Sequence, residues 1–308
     1  MMNRNKDSGS FDSQISQEAV ALKGIRRFTR SEVVGLLGRL SERDKALLHS
    51  LQDYRYLLTG QIERLYFHKL GSSRARRRTT NRSLQKLEGL GLTASLERRI
   101  GGVRAGSSSF VWTLTPIGHR LLDLVDDTAS KARKRSYEPT YTFLQHTLAV
   151  AEVAIQLTEH AMRGRIGLLE RQVEADGRRA FTNTGGSVSA LVPDLYVVTT
   201  PVTKGKSGSS PADYEDHWFI EIDLATESPA VVVRKCELYL AYLRSGEEQK
   251  RSGVFPLVVW VVPDSKRQTT LVDHITKNLP DDTGLFSVIT LGQLTNLVLT
   301  GEPDGRPA

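Results

Sequence analysis

The sequence predicts an α/β chain of two domains, a basic N-terminal one and an acidic C-terminal one. Three observations predict it. The first is length, since 308 residues suffice for two separate cores. The second is charge. The net +7 is unevenly spread, with 26 Lys or Arg against 13 Asp or Glu in residues 1–135 and 16 against 22 in residues 136–308. The third is the order of elements. Helices and one hairpin fill the first half, and strands between helices fill the second. A basic half joined to an acidic half implies one part that meets phosphate and another with a different task.

Residues 1–35 are polar and read as a flexible N-terminus. The first domain is expected over residues 36–130. Ser41 and Asp44 form a capping box ahead of a helix through Leu47, Leu48 and Leu51. Thr59 caps a second helix through Ile62, Leu65 and Phe67. After a Gly71 turn, Ser73 to Gly89 (SRARRRTTNRSLQKLEG) reads as a third helix. Arg74, Arg78, Arg82 and Lys86 recur every four residues along it, with Arg76 and Arg77 adding charge. Thr80, Leu84 and Leu87 make its apolar seam. Glu88 is the only acid in the segment, so this face is suited to a polyanion.

ASLERRI-GGVRAGSSS-FVWTL then reads as a β-hairpin with a glycine- and serine-rich tip, and Pro116 starts another helix. The order helix, helix, basic helix, hairpin, helix is that of a winged helix-turn-helix. Its third helix would enter the major groove of double-stranded DNA, with Arg98, Arg99 and Arg104 on the hairpin flanking the phosphates. A structural winged helix that binds protein is the alternative.

Residues 131–140 (KARKRSYEPT) form a basic linker. The second domain is expected over residues 141–300, and residues 301–308 as a flexible tail. It begins with a long helix, Tyr141 to Met162, followed by strands near Ile166–Val173 and Leu191–Val198. A Lys/Gly/Ser loop (203–213) leads to a strand at His217–Asp223. A helix over Ala230–Leu243 and an apolar strand over Val254–Val262 complete it.

Several functions are disfavoured. One cysteine, Cys236, permits no intrachain disulfide and suits a reducing cytoplasm. No Cys/His cluster suggests structural zinc, and no GxxxxGK[ST] motif suggests ATP-driven work. No long apolar run predicts a membrane span, and the polar N-terminus predicts no signal peptide. The histidines form no His-x-His pair, which disfavours a tyrosine relaxase with histidine-bound metal.

The acidic half carries the candidate chemistry. Pro193-Asp194 opens one strand and Glu221-Ile222-Asp223 ends another. Glu221 and Asp223, two apart, share a strand face with Phe219. With Asp194 they are expected to hold Mg²⁺, which takes oxygen ligands and keeps several waters. Such an ion can activate water against a phosphodiester. Lys235 lies on the inward stripe of its helix, where a lysine is costly unless paired with carboxylates. It is expected to orient water or stabilise charge on the phosphate. Glu152, on an apolar stripe of the long helix, is a further candidate. Tyr239, Tyr242 and Cys236 read as packing residues, and His146 as capping or packing its helix.

Pro193-Asp194 followed by Glu221-x-Asp223 resembles the restriction-endonuclease-like PD-(D/E)xK nucleases. An aspartate stands where their motif has lysine, and Lys235 is placed for the variant in which the lysine sits on the next helix. The wider order resembles the replication-relaxation family of plasmids and integrative elements. The residues that carry it are LSERDKALLHSL, RRRTTNRSLQKLEGLGL, LTPIGHRLL, HTLAVAEV, PDLYVV, FIEIDLATES and RKCELYLAYL, over roughly residues 40 to 262. The resemblance implies a DNA-binding protein of a plasmid or mobile element, with a nuclease-like α/β second domain. Such a protein would act in replication, relaxation or transfer, as a homodimer or with replication or transfer proteins. Two readings follow: a Mg²⁺-dependent nickase, and a non-catalytic initiator or transcription regulator.

Overall fold

The computed structural model describes residues 29–100, 109–126, 139–183, 185–205, 208–211 and 214–301. The hairpin tip with Arg104, most of the basic linker and the two chain ends lie outside the described residues.

The first half is helical around a small sheet. Helix α1 (Arg30–Leu37) starts inside the stretch expected to be flexible. Thr29 and Glu32 form a reciprocal capping box there, and Val33 and Leu36 are buried. Helix α2 (Glu42–Tyr54) begins at the Ser41–Asp44 box expected from the sequence. Strand β1 (Leu57–Leu58) precedes α3 (Thr59–Tyr66), and the basic segment is one helix, α4 (Ser73–Gly89). The buried residues of α4 are Thr80, Leu84 and Leu87, the three that periodicity assigned to its core side.

Strands β2 (Thr93–Ile100) and β3 (Ser109–Leu114) pair antiparallel, and β1 adds to β3, giving the order β1-β3-β2. Arg98 and Arg99 belong to β2. Helix α5 (Pro116–Val125) has Pro116 in its first turn and Thr115 as its cap. Gly118 there is required by space, because a Cβ would sit 2.2 Å from the Leu92 carbonyl oxygen.

The second half is built on α6 (Tyr141–Met162) and a mixed sheet. Strand β7 (Leu195–Gly205) pairs antiparallel with β4 (Ile166–Val173) on one side and with β9 (Asp216–Ile222) on the other. Helix α7 (Pro229–Ser245) then crosses to β10 (Leu257–Val262), which is parallel to β9. Helix α9 (Ser265–Asn278), after the short α8 (Glu247–Ser252), leads to β11 (Phe286–Thr290), parallel to β10. The sheet order is β11-β10-β9-β7-β4. Helix α10 (Leu294–Thr300) follows.

Three departures from expectation stand out. The stretch 191–198 is not one strand. Strand β6 (Val188–Leu191) hairpins with β5 (Arg179–Thr182), and β7 starts only at Leu195. Pro193, which has no N–H for a ladder, falls in the break. The expected loop at 203–213 is partly strand, since β7 runs to Gly205 and pairs with β8 (Gly208–Pro211). The region after Val262 adds α9, β11 and α10, which the sequence did not announce.

The halves share a core. One continuous cluster of buried apolar residues runs from Val33, Leu47 and Leu121 to Val150, Leu157, Ile220 and Leu297. Helix α6 is the shared wall. Glu152 and Glu159 on it receive Arg64 of α3 at 2.6 and 3.0 Å, and Gln61 reaches Glu152 at 3.1 Å. No described helix is long and apolar enough to cross a membrane.

Candidate functional site

The cationic helix is divided by its partners. Arg76 turns toward α3, reaching Glu63 at 3.4 Å and the Leu70 carbonyl at 3.2 Å. Lys86 reaches the buried carboxylate of Asp44 on α2 at 2.7 Å. Burial pushes Asp44 up, but Lys86 and the Ser41 cap outweigh it and hold its carboxyl below the usual range. Two of the six expected contact residues on the helix thus also tie α4 to its neighbours. Arg74, Arg77, Arg78, Asn81, Arg82 and Gln85 line one shallow outward groove. All six are exposed, and Arg74, Arg78 and Arg82 make no ion pair among the described residues.

The acidic site gathers where β7 starts and β9 ends. The alternation of β9 puts Phe219 and Glu221 under α7, while Trp218, Ile220 and Ile222 face the core shared with α6. Asp194, in the break before β7, accepts the Ile222 N–H at 2.7 Å. Its other oxygen lies 3.1 Å from Nε2 of His146 on α6. Glu221 is 1% exposed. One of its oxygens accepts from Lys235 Nζ and the other from the Tyr239 hydroxyl, each at 2.5 Å. The Lys235 ammonium also stands 6.0 Å from the Trp260 ring centre.

The electrostatics follow from burial and from this crowding. Burial, and then the Asp194 charge, push the Glu221 carboxyl up to about 8, although Lys235 and Tyr239 pull it back. Burial also raises Asp194, but His146 and Lys235 outweigh it and its carboxyl is held low. The bond to Asp194 raises His146 above the ordinary imidazole range, against its burial. Burial opposes the Lys235 charge, and Glu221 and Asp194 reverse that and raise it.

Of the expected residues, the structure brings Asp194, Glu221 and Lys235 together. Asp223 is directed elsewhere. Both its oxygens receive Arg267 of α9, at 2.6 and 3.0 Å, and the same guanidinium donates to the Glu227 carbonyl at 2.8 Å. Glu152 belongs to the α3–α6 contact with Arg64 and Gln61. No group of three or more His, Cys, Asp or Glu suited to a metal occurs among the described residues.

The Asp194 charge raises the Glu221 carboxyl, a crowding that a bound cation would relieve, while in this structure the four oxygens of the pair lie against His146, the Ile222 N–H, Lys235 and Tyr239. A three-carboxylate set including Asp223 does not fit, because Arg267 already neutralises that side chain.

Three residues in and beside the cluster carry no signal of their role in the sequence. His146 reads as capping or packing its helix, because its partner lies 48 positions away. Tyr239 has the spacing of a core residue whether or not its hydroxyl is used. Arg267 sits on a helix with little apolar periodicity to mark it.

A family model described as replication-relaxation matches residues 48–258, more than half of the chain. The match includes α4, Asp194, Glu221 and Lys235 and stops short of Arg267. No curated protein and no solved structure gives a match.

Proposed function

The chain belongs to the replication-relaxation family, and from that premise we propose that it binds double-stranded DNA of a plasmid or other mobile element and nicks it with Mg²⁺. The observation that carries the DNA reading is the outward face of α4. The nearby acids Glu63 and Asp44 pair with Arg76 and Lys86, which leaves Arg74, Arg78 and Arg82 without an ion-pair partner among the described residues, beside Asn81 and Gln85. Cations without carboxylate partners on one helix face, flanked by amide side chains, favour a phosphate-rich groove. The order of helices and hairpin around α4 supports a winged helix-turn-helix, with β2 and β3 as the wing.

The order α6, β4, β7, β9, α7, β10 supports a PD-(D/E)xK-like second domain. Asp194 and Glu221 would hold Mg²⁺, which when bound supplies Lewis acidity and an activated water. Lys235, on the Glu221 oxygen, would orient water and offset charge building on the phosphodiester. His146 fixes the Asp194 carboxylate, and Tyr239 fixes Glu221. Asp223 works at a distance, through Arg267 and the Glu227 carbonyl, by holding the turn that delivers α7. Glu152 serves the contact between the halves.

The test is supercoiled plasmid incubated with the protein and Mg²⁺, beside an Asp194→Ala variant. Open circles with the parent protein and none with the variant are expected. Equal nicking by both, or none by either on plasmid that is demonstrably bound, removes the nickase. The second reading, a non-catalytic initiator or regulator, is favoured by one observation: the Asp223–Arg267 pair closes the position where the motif has lysine. It predicts DNA binding indifferent to Asp194.

A further inference from the structure

Beside Asp194 the two halves meet in a strained contact. Arg55, directly after α2, has φ +64°, and Glu174, directly after β4, has φ +45°. They are two of the three described non-glycine residues with positive φ, and they pair with each other at 2.7 Å. The Glu174 N–H donates to the Asp194 carbonyl at 3.0 Å, so this pair abuts the acidic site. Strained backbone at bulky residues persists where surrounding structure enforces it, and it concentrates at ligand clamps and active sites.

An aromatic surface lies against the same pair. The Arg55 guanidinium stands 5.7 Å from the centre of the Phe143 ring. Tyr56 meets that ring edge-on, with centroids 6.5 Å apart. Phe143 remains 39% exposed at the start of α6. It is three residues before His146, hence a neighbour on the same helix surface, and His146 holds Asp194. An exposed ring with an arginine over it, next to a site for a phosphodiester, suits one nucleotide. The base stacks on the ring and the phosphate meets the guanidinium. A base inside a duplex has its faces covered by its neighbours and cannot use such a ring, whereas a base in a gap can.

We propose that Arg55, Tyr56 and Phe143 form a docking place for an unpaired nucleotide of the strand that enters the Asp194–Glu221 site. Arg55 exchanges Glu174 for the nucleotide's phosphate, so the N-terminal half completes a site carried by the C-terminal one. This rests on the DNA-binding reading above.

The experiment compares fluorescence-anisotropy affinities for a blunt duplex and for the same duplex with a short single-stranded gap. The parent protein is expected to prefer the gapped probe by about tenfold, the size of one base–aromatic stack. Phe143→Leu, which keeps an apolar side chain, should abolish that preference and leave blunt-duplex affinity unchanged. Glu174→Gln should tighten binding of the gapped probe alone, since it releases Arg55. Equal affinity of the parent protein for both probes overturns the proposal and leaves the DNA reading standing. So does a preference that survives Phe143→Leu, or a Glu174→Gln protein that only loses stability. Binding of neither probe removes the DNA reading, and this proposal with it.

Discussion

Glu221 is a buried carboxylate with both oxygens occupied, one by the Lys235 ammonium and one by the Tyr239 hydroxyl. Deleting the tyrosine hydroxyl leaves a buried oxygen without its donor, which costs about 1–3 kcal/mol. Tyr239→Phe should therefore lower the urea midpoint by that free energy divided by the m-value, with m itself constant, and an unchanged midpoint would refute the role given to the hydroxyl. His160, on α6, is 6% exposed and bonds Thr295 at 2.9 Å. Burial, with Arg165 and Arg163, depresses its pKa below the ordinary 6.5. The folded state thus favours neutral imidazole. The stability this gives is present above the unfolded pKa and is lost as pH falls through the folded one. Unfolding free energy should decline below about pH 6.5, and His160→Gln should flatten that decline. A variant with the parent's pH profile would rule out the histidine as its source. At this scale the sequence spoke only through cost. Lys235 was legible because an inward lysine demands a partner. His146 and Asp223 were not, since what they touch is set by residues distant in the chain.

Helices and strands were legible in proportion to their apolar pattern. Helix α4 declared its buried side through Thr80, Leu84 and Leu87, and its cationic side through spacing. The spacing could not separate Arg76 and Lys86 from the outward arginines, because Glu63 and Asp44 lie on other helices. Helix α9 buries only Leu271 and Ile275, too few for a periodic signal, and it carries the arginine that takes Asp223. Helix α1 has its capping box in the sequence, but its apolar residues Val33, Val34, Leu36 and Leu37 span little more than one turn, too short a run for a periodic signal. The turn from α4 through β2 to α5 depends on Gly118, whose missing Cβ admits the Leu92 carbonyl. Gly118→Ala should cost about 1–3 kcal/mol by overpacking, read as a lower melting temperature with the same DNA affinity per folded molecule. A melting temperature equal to the parent's would show that this contact relaxes freely.

Taken whole, the molecule is two halves of opposite charge fastened along α6. The charge split was visible in the sequence, and the shared core was not, since it arises from pairing distant apolar stripes. That core and the Arg64–Glu152–Glu159 contacts predict that the halves unfold together. Trp112 reports the first half, and Trp218 and Trp260 the second. Single-tryptophan variants should give coincident denaturation curves, whereas separated midpoints would mean independent domains. DNA binding by this molecule rests above all on the outward face of α4 meeting DNA phosphates. The most direct measurement is the salt dependence of duplex affinity for the parent protein and for an Arg78→Ala/Arg82→Ala variant. The predicted result is weaker binding with a log–log salt slope shallower by about two, near 0.9 for each lost phosphate contact. An unchanged affinity and slope would contradict it.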